Sequence, residues 1–242
     1  MTNATALLTA RHLRMAACTL LTSVLAFGFA AAGAQTAAPG TKAANSKQIA
    51  PVVGPHYNDK WELYGGLNFM NGQAGQNLPK RYNMGGGEVM ATYWLGPRLG
   101  IVGDYRIGAG TTPVFPNQFN LNRVLIRQNI FSGGVQWRGP KNRYASLDYH
   151  ALGGATRGTF DSAIKGFPAG GAGGGQAPTV DSIGVYSNRT SAWAAVGGSV
   201  DFNYSPRLAI RLQPDLTMEH FGTELREFFA ISGGVVYRFG QR

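Results

Sequence analysis

From Lys60 to its end, the chain alternates apolar and polar residues with a period of two, and the connections between these runs alternate between short and long. Gly96-Pro97-Arg98, Gly139-Pro140-Lys141-Asn142 and Ser205-Pro206-Arg207 are tight and follow the second, fourth and sixth runs. Met70–Gly85, Ala109–Arg123 and Gly154–Thr190 are long and follow the first, third and fifth. The last connection, Glu219–Glu227, is intermediate. A period of two sends successive side chains to opposite faces of a strand. In an up-and-down sheet, odd and even connections emerge at opposite ends. Loops sorted by length therefore mean one end of short turns and one end of long loops, the habit of membrane barrels.

Eight strands are predicted: Trp61–Phe69, Gly86–Leu95, Leu99–Gly108, Val124–Trp137, Tyr144–Gly153, Ser191–Tyr204, Leu208–Met218 and Phe228–Phe239. Most are near the roughly 9–11 residues that a tilted strand needs to cross a bilayer. The parity of the fourth run is the least regular, because Arg127 shares a face with Phe131, Val135 and Trp137; a bulge there is one way to resolve it. In lipid every backbone polar group must be paired internally, so such strands must close on themselves. The predicted fold is all-β, an antiparallel up-and-down eight-stranded transmembrane β-barrel over residues 60–242. Composition agrees: of 242 residues, 44% are hydrophobic, only 14% are charged and 35 are glycine, which suits many strands rather than a helical soluble enzyme.

Residues 1–34 have the form of a signal peptide, with Arg11 and Arg14 ahead of an apolar stretch from Met15 to Ala32. Ala32-Gly33-Ala34 fits the small-x-small cleavage pattern, which starts the mature chain at Gln35. Cys18, the only cysteine, would be lost with it, leaving no disulfide and no thiol chemistry. Residues 35–59, rich in Ala, Pro, Lys and Gln, read as a flexible periplasmic lead-in. No stretch after residue 34 is long and apolar enough for a spanning helix. The expected location is the bacterial cell outer membrane, reached by export.

The formal charge of +10 falls to +8 without Arg11 and Arg14. Arg98, Arg138, Lys141, Arg143 and Arg207 gather at the tight turns, while Lys80, Arg81, Arg123, Arg127, Arg157, Arg189 and Arg226 fall near the long loops. Both placements suit membrane phosphates better than nucleic acid, which is not an expected partner. Glu62, Glu88, Asp104, Arg106, Asp148, His150, Asp201, Arg211, Asp215 and Glu219 fall on the polar faces of their strands. A basic residue facing lipid at the midplane costs about 2–4 kcal/mol, so that face must line the lumen. An eight-stranded barrel is just wide enough to be filled by side chains. These groups are therefore read as an interior network of ion pairs and hydrogen bonds. Asp148, His150, Asp215 and Glu219 are placed toward the loop end. With Ser146 they offer the alternative of a hydrolase cluster, yet no nucleophile motif and no metal-ligand spacing is present. No enzyme activity and no cofactor is expected. Trp61, Tyr93, Trp137, Phe202, Tyr204, Tyr237 and Phe239 collect near the turn end, where an aromatic girdle belongs.

Gly234-Val235-Val236-Tyr237-Arg238-Phe239 resembles the C-terminal assembly signal of outer-membrane barrels, with Gly234 ahead of the alternate aromatics Tyr237 and Phe239. It departs from that signal in being followed by Gly240-Gln241-Arg242. With the eight strands and the signal peptide, the chain is similar to the small outer-membrane barrels of the OmpA/OmpX type, over Lys60–Arg242. The resemblance is architectural. It implies an integral outer-membrane protein with a structural, adhesive or surface-interaction role carried by long extracellular loops. It also implies outer-membrane lipids including lipopolysaccharide, the barrel-assembly machinery and an unidentified extracellular ligand as partners. A narrow channel for ions or small solutes, and a lipid-modifying or proteolytic enzyme, are the alternatives. In the second loop, Pro113, Phe115, Pro116, Phe119 and Leu121 either bind a partner or pack over the barrel mouth.

Overall fold

The computed structural model describes residues 55, 57–75, 78, 81–117, 121–160 and 183–241. The expected signal peptide with Ala32 and Ala34, most of the lead-in, and the glycine-rich run Gly170–Gly175 within the third long connection lie outside the described residues. The described residues all fall in one unit, Ala50–Arg242.

Eight strands form: β1 Asp59–Gly72, β2 Tyr82–Trp94, β3 Leu99–Pro113, β4 Arg123–Lys141, β5 Ala145–Thr159, β6 Arg189–Asn203, β7 Leu208–Glu219 and β8 Arg226–Gln241. Each pairs antiparallel with its sequence neighbour, and β8 closes on β1. Direct Cα partners lead once round the barrel from Trp61 through Tyr93, Ile101, Val135, Ala151, Val196, Leu216 and Phe229 to Asn71. The stagger is thus ten residues, from position 61 to position 71 of β1. Ten over eight strands corresponds to a strand tilt of about 40°.

The strands overshoot the sequence expectation mainly at the loop end. β2 starts at Tyr82 rather than Gly86, β3 runs to Pro113 rather than Gly108, and β5 runs to Thr159 rather than Gly153. Backbone pairing continues beyond the apolar stretch because the ladder does not depend on which face is greasy. The bulge considered at Arg127 is absent. Register holds unbroken along β3 and β4, and Arg127 simply faces outward. The irregularity lies instead between Arg138 and Lys141.

The outside is apolar. Leu63, Leu67, Val89, Ile101, Val135, Val196, Ile210 and Val235 are all exposed, an arrangement only lipid tolerates. On β1 this surface runs from Trp61 to Phe69, about 20 Å along the barrel axis at that tilt, and side chains extend it toward the ~25 Å lipid-facing band of membrane barrels. At the turn end Trp61 packs against Tyr93 (4.8 Å between ring centroids) and Phe239 (6.5 Å), and Tyr237 stacks on Phe239 (5.7 Å). Glycines let the tight wall close. A Cβ on Gly86 would collide with the Ile107 carbonyl oxygen, and one on Gly234 with the Gly65 carbonyl oxygen. Gly234 of the assembly-signal segment is thus also a point of close strand approach.

Candidate functional site

Each long side chain on the inner faces meets one from another strand, and the lumen is filled in layers. The layer nearest the turns holds three carboxylates and three guanidiniums. Arg211 grips Asp201 with Nε–Oδ1 at 2.7 Å and Nη2–Oδ2 at 2.9 Å. Arg238 reaches Asp201 Oδ2 at 2.7 Å and Glu62 Oε1 at 3.0 Å. Arg138 pairs with Glu62 and lies 3.7 Å from Asp148 Oδ1, its guanidinium 3.7 Å above the Trp94 ring. Arg211 also lies 3.5 Å from Asp148. Glu62, Asp148 and Asp201 stand close enough to suggest a metal cage. Three guanidiniums lie against these three carboxylates and match their charge, so the set is built as an ion-pair cluster.

Two of the arginines escape the sequence reading. By sequence Arg138 falls at the turn rim, and Arg238 falls within the terminal assembly-signal segment. Both are inward and fully buried, at 1% and 0% exposure. Parity carried the signal: Trp137, Tyr237 and Phe239 face lipid, so the residues between or beside them face in. Asp148, expected toward the loop end, belongs instead to this turn-end layer, three residues into β5 and directly opposite Arg138.

Tyr57 caps the layer from below. Its ring lies 5.3 Å from the Arg138 guanidinium, 5.2 Å from that of Arg238 and 4.8 Å from Lys141 Nζ. Its hydroxyl donates to the Asn142 carbonyl at 2.8 Å and accepts from Asn203 Nδ2 at 2.7 Å. Tyr57, within the expected lead-in, is thus tied to the barrel wall.

The middle layer centres on Arg106. It meets Asp104 at 2.8 Å, Asp215 at 2.7 Å and Glu88 at 3.3 Å. His150 Nε2 lies 2.8 Å from Asp215 Oδ1. Gln213 donates to Glu88 at 2.9 Å, and Ser132 donates to Asp104 at 3.1 Å. Gln136 links the layers, accepting from Thr92 at 2.8 Å and donating to Asp148 at 3.2 Å. Ser146 is four residues from His150 on the same strand, about 13 Å along it, and its hydroxyl has no partner among the described residues. The serine, histidine and carboxylate of the hydrolase alternative are therefore not assembled.

Glu219 stands apart from both layers. It is 1% exposed and accepts one hydrogen bond, from Gln128 at 3.2 Å. Trp193, its cross-strand partner, separates it from Arg106, which lies 5.3 Å from the indole ring.

Above Glu219 the interior turns apolar. Met70, Met84, Val124, Ile126 and Phe228 come from strand ends, while Ala74, Leu78, Phe160, Ile183, Val185, Tyr186 and Phe221 come from the loops. Phe160 meets Phe221 edge-on at 5.2 Å and Tyr186 at 5.7 Å. The Tyr186 N–H donates to the Ala74 carbonyl at 2.8 Å, joining the first and third loops. In the second loop Phe115 packs against this cluster and Leu121 is buried. Packing over the mouth is thus the role of those two; Phe119 lies outside the described residues.

Fold and interior define a small eight-stranded transmembrane β-barrel, similar in architecture to the OmpA/OmpX type, with a lumen filled by side chains. No family model and no curated protein matches the chain. Among solved structures, Neisserial surface protein A aligns with a TM-score of 0.53 at 11% identity, covering 74% of this chain and 97% of that one. Ail of Yersinia pestis aligns at 0.45 and 16% identity, over 75% and 99%. OprG of Pseudomonas aeruginosa aligns at 0.49 and 11%, over 77% and 98%. At these identities the likeness to the Neisserial protein is one of fold.

Proposed function

We propose that this chain is an exported protein of the bacterial outer membrane that works as a closed anchor for surface loops, with a structural, adhesive or interaction role. One observation carries the reading: side chains occupy the lumen from end to end. Tyr57, the two ion-pair layers, the Trp193–Glu219 layer and the apolar cap follow one another with charges paired or screened from water. A general pore needs a continuous wet path, and a charge-paired, aromatic-capped interior disfavours one. The apolar exterior requires lipid, and an antiparallel barrel with short turns at one end suits the outer membrane. The terminal Gly234, Tyr237 and Phe239 fit recognition by the barrel-assembly machinery, and the outer-membrane lipids are the constant partners of the wall.

Planar-bilayer recording of the pure protein tests the closed lumen. Traces without large, stable open steps are expected. Reproducible steps that scale with protein and survive repurification would replace the anchor with a channel.

A further inference from the structure

The outward face carries its charge unevenly at the loop end. Beyond Phe131 on β4 come Asn129 and Arg127; beyond Ala155 on β5 comes Arg157. Arg127 lies opposite Thr159, and Arg157 opposite Asn129. The two arginines are therefore diagonal neighbours, with Cα atoms about 7–8 Å apart. Both side chains are exposed, and neither has a hydrogen-bond or ion-pair partner among the described residues. No described outward residue of β3–β6 at this end is acidic; Glu227 stands away on β8. Like charges so close repel, and a neighbouring carboxylate would ordinarily relieve them.

Just below, the wall changes character. Tyr105 packs on Phe131 at 4.6 Å between ring centroids. Beneath them Gly103, Gly133 and Gly153 are direct partners across three strands, an outward row without side chains. A Cβ on Gly103 or Gly153 would meet nothing within 4 Å, so the row is a shallow furrow. Two guanidiniums with no partner among the described residues thus sit at the upper edge of the apolar band, over an aromatic shelf and a furrow.

We propose that Arg127 and Arg157 clamp a phosphate of a phosphorylated outer-leaflet glycolipid of the lipid A type, whose acyl chains lie over Phe131 and the glycine furrow. The site rests on the outer-membrane reading above. Two guanidinium forks match a phosphate by geometry as well as charge, which lysines at the same places would not. The height of the pair selects a headgroup, and the apolar furrow selects a lipid over free phosphate.

Native mass spectrometry in detergent with bis-phosphorylated lipid A tests the clamp. Wild type should retain the lipid, and Arg127→Gln/Arg157→Gln should bind it at least tenfold more weakly. The double lysine variant should fall between them. Dephosphorylated lipid A and inorganic phosphate should not be retained by wild type. Arg98→Gln/Arg207→Gln, at the turn end, should bind as wild type does. Equal retention by the double glutamine variant overturns the proposal. So does equal binding of dephosphorylated lipid, of phosphatidylglycerol, or an equal loss in the turn-end variant. Heat-modifiable gel mobility and outer-membrane fractionation report the parent reading separately. A wild-type protein absent from that fraction defeats the parent reading whatever the lipid data show.

Discussion

Asp201 on β6 and Arg211 on β7 are direct cross-strand partners that both face the lumen, and the guanidinium meets the carboxylate with both arms at 2.7 and 2.9 Å. Asp201 also receives Arg238, so one carboxylate joins β6, β7 and β8. Two cations lose their nearest counter-charge if it is removed. Asp201→Ala should destabilise the folded barrel by about 3–5 kcal/mol, since an uncompensated buried charge is left behind. Asp201→Asn should cost less. Urea titration in lipid vesicles, followed by heat-modifiable mobility, measures both.

Val89 faces outward near the middle of the apolar band and is 52% exposed. Val89→Arg should lower stability by about 2–4 kcal/mol, the cost of a basic side chain at the bilayer midplane. Thr111→Arg, beyond the band on the same outer face, should cost far less. Equal losses at both sites would mean that the apolar surface meets something other than a bilayer. The same vesicle titration distinguishes the outcomes.

The cap depends on aromatic contacts among the loops. Phe221 touches Phe160 at 5.2 Å and Tyr186 at 6.0 Å. Phe221→Ala removes both and should loosen the cap while leaving the strand ladder intact. The expected result is faster protease cleavage in the β5–β6 connection with unchanged heat-modifiable mobility. Conductance should stay low, because the two ion-pair layers still fill the lumen beneath.

Tyr57 lies just before β1 and spreads its ring under three cations. Tyr57→Ala removes the ring beneath these cations and should speed trimming of the N-terminus by added protease. Tyr57→Phe keeps the ring but loses the hydroxyl bonds to Asn142 and Asn203. It should fall between the two, by a few-fold in cleavage rate.

Much of the barrel could be read from the chain. A period-2 pattern identifies which face meets lipid, and the rotation of Gly-Pro-Arg turns with long loops orders the strands. Glu62, Asp104, Arg106 and Asp215 could be assigned to the lumen on parity alone, because a charge at mid-strand has nowhere else to go. What parity cannot supply is height and partner. Asp148 stands only three residues into β5 after a tight turn, so its end is legible locally, but a strand's face says nothing of which residues from the seven other strands stand level with it. That depends on the ten-residue stagger, which exists only once β8 closes on β1. The same closure brings Arg138, Arg211 and Arg238 from three separate strands onto Glu62.

The outer mouth was the least legible part, since its core comes from four loops and strand ends that share no periodicity. Phe160, Ile183 and Phe221 are apolar residues in irregular segments, and only the folded chain shows that they cover one another. Local chemistry therefore determined the strands, their order and the two faces, because alternation and turn residues act within a few positions of each other. The tertiary structure alone decided the pairing of buried charges, the sealed ends and the neighbourhood of Arg127 and Arg157, because those depend on register between strands.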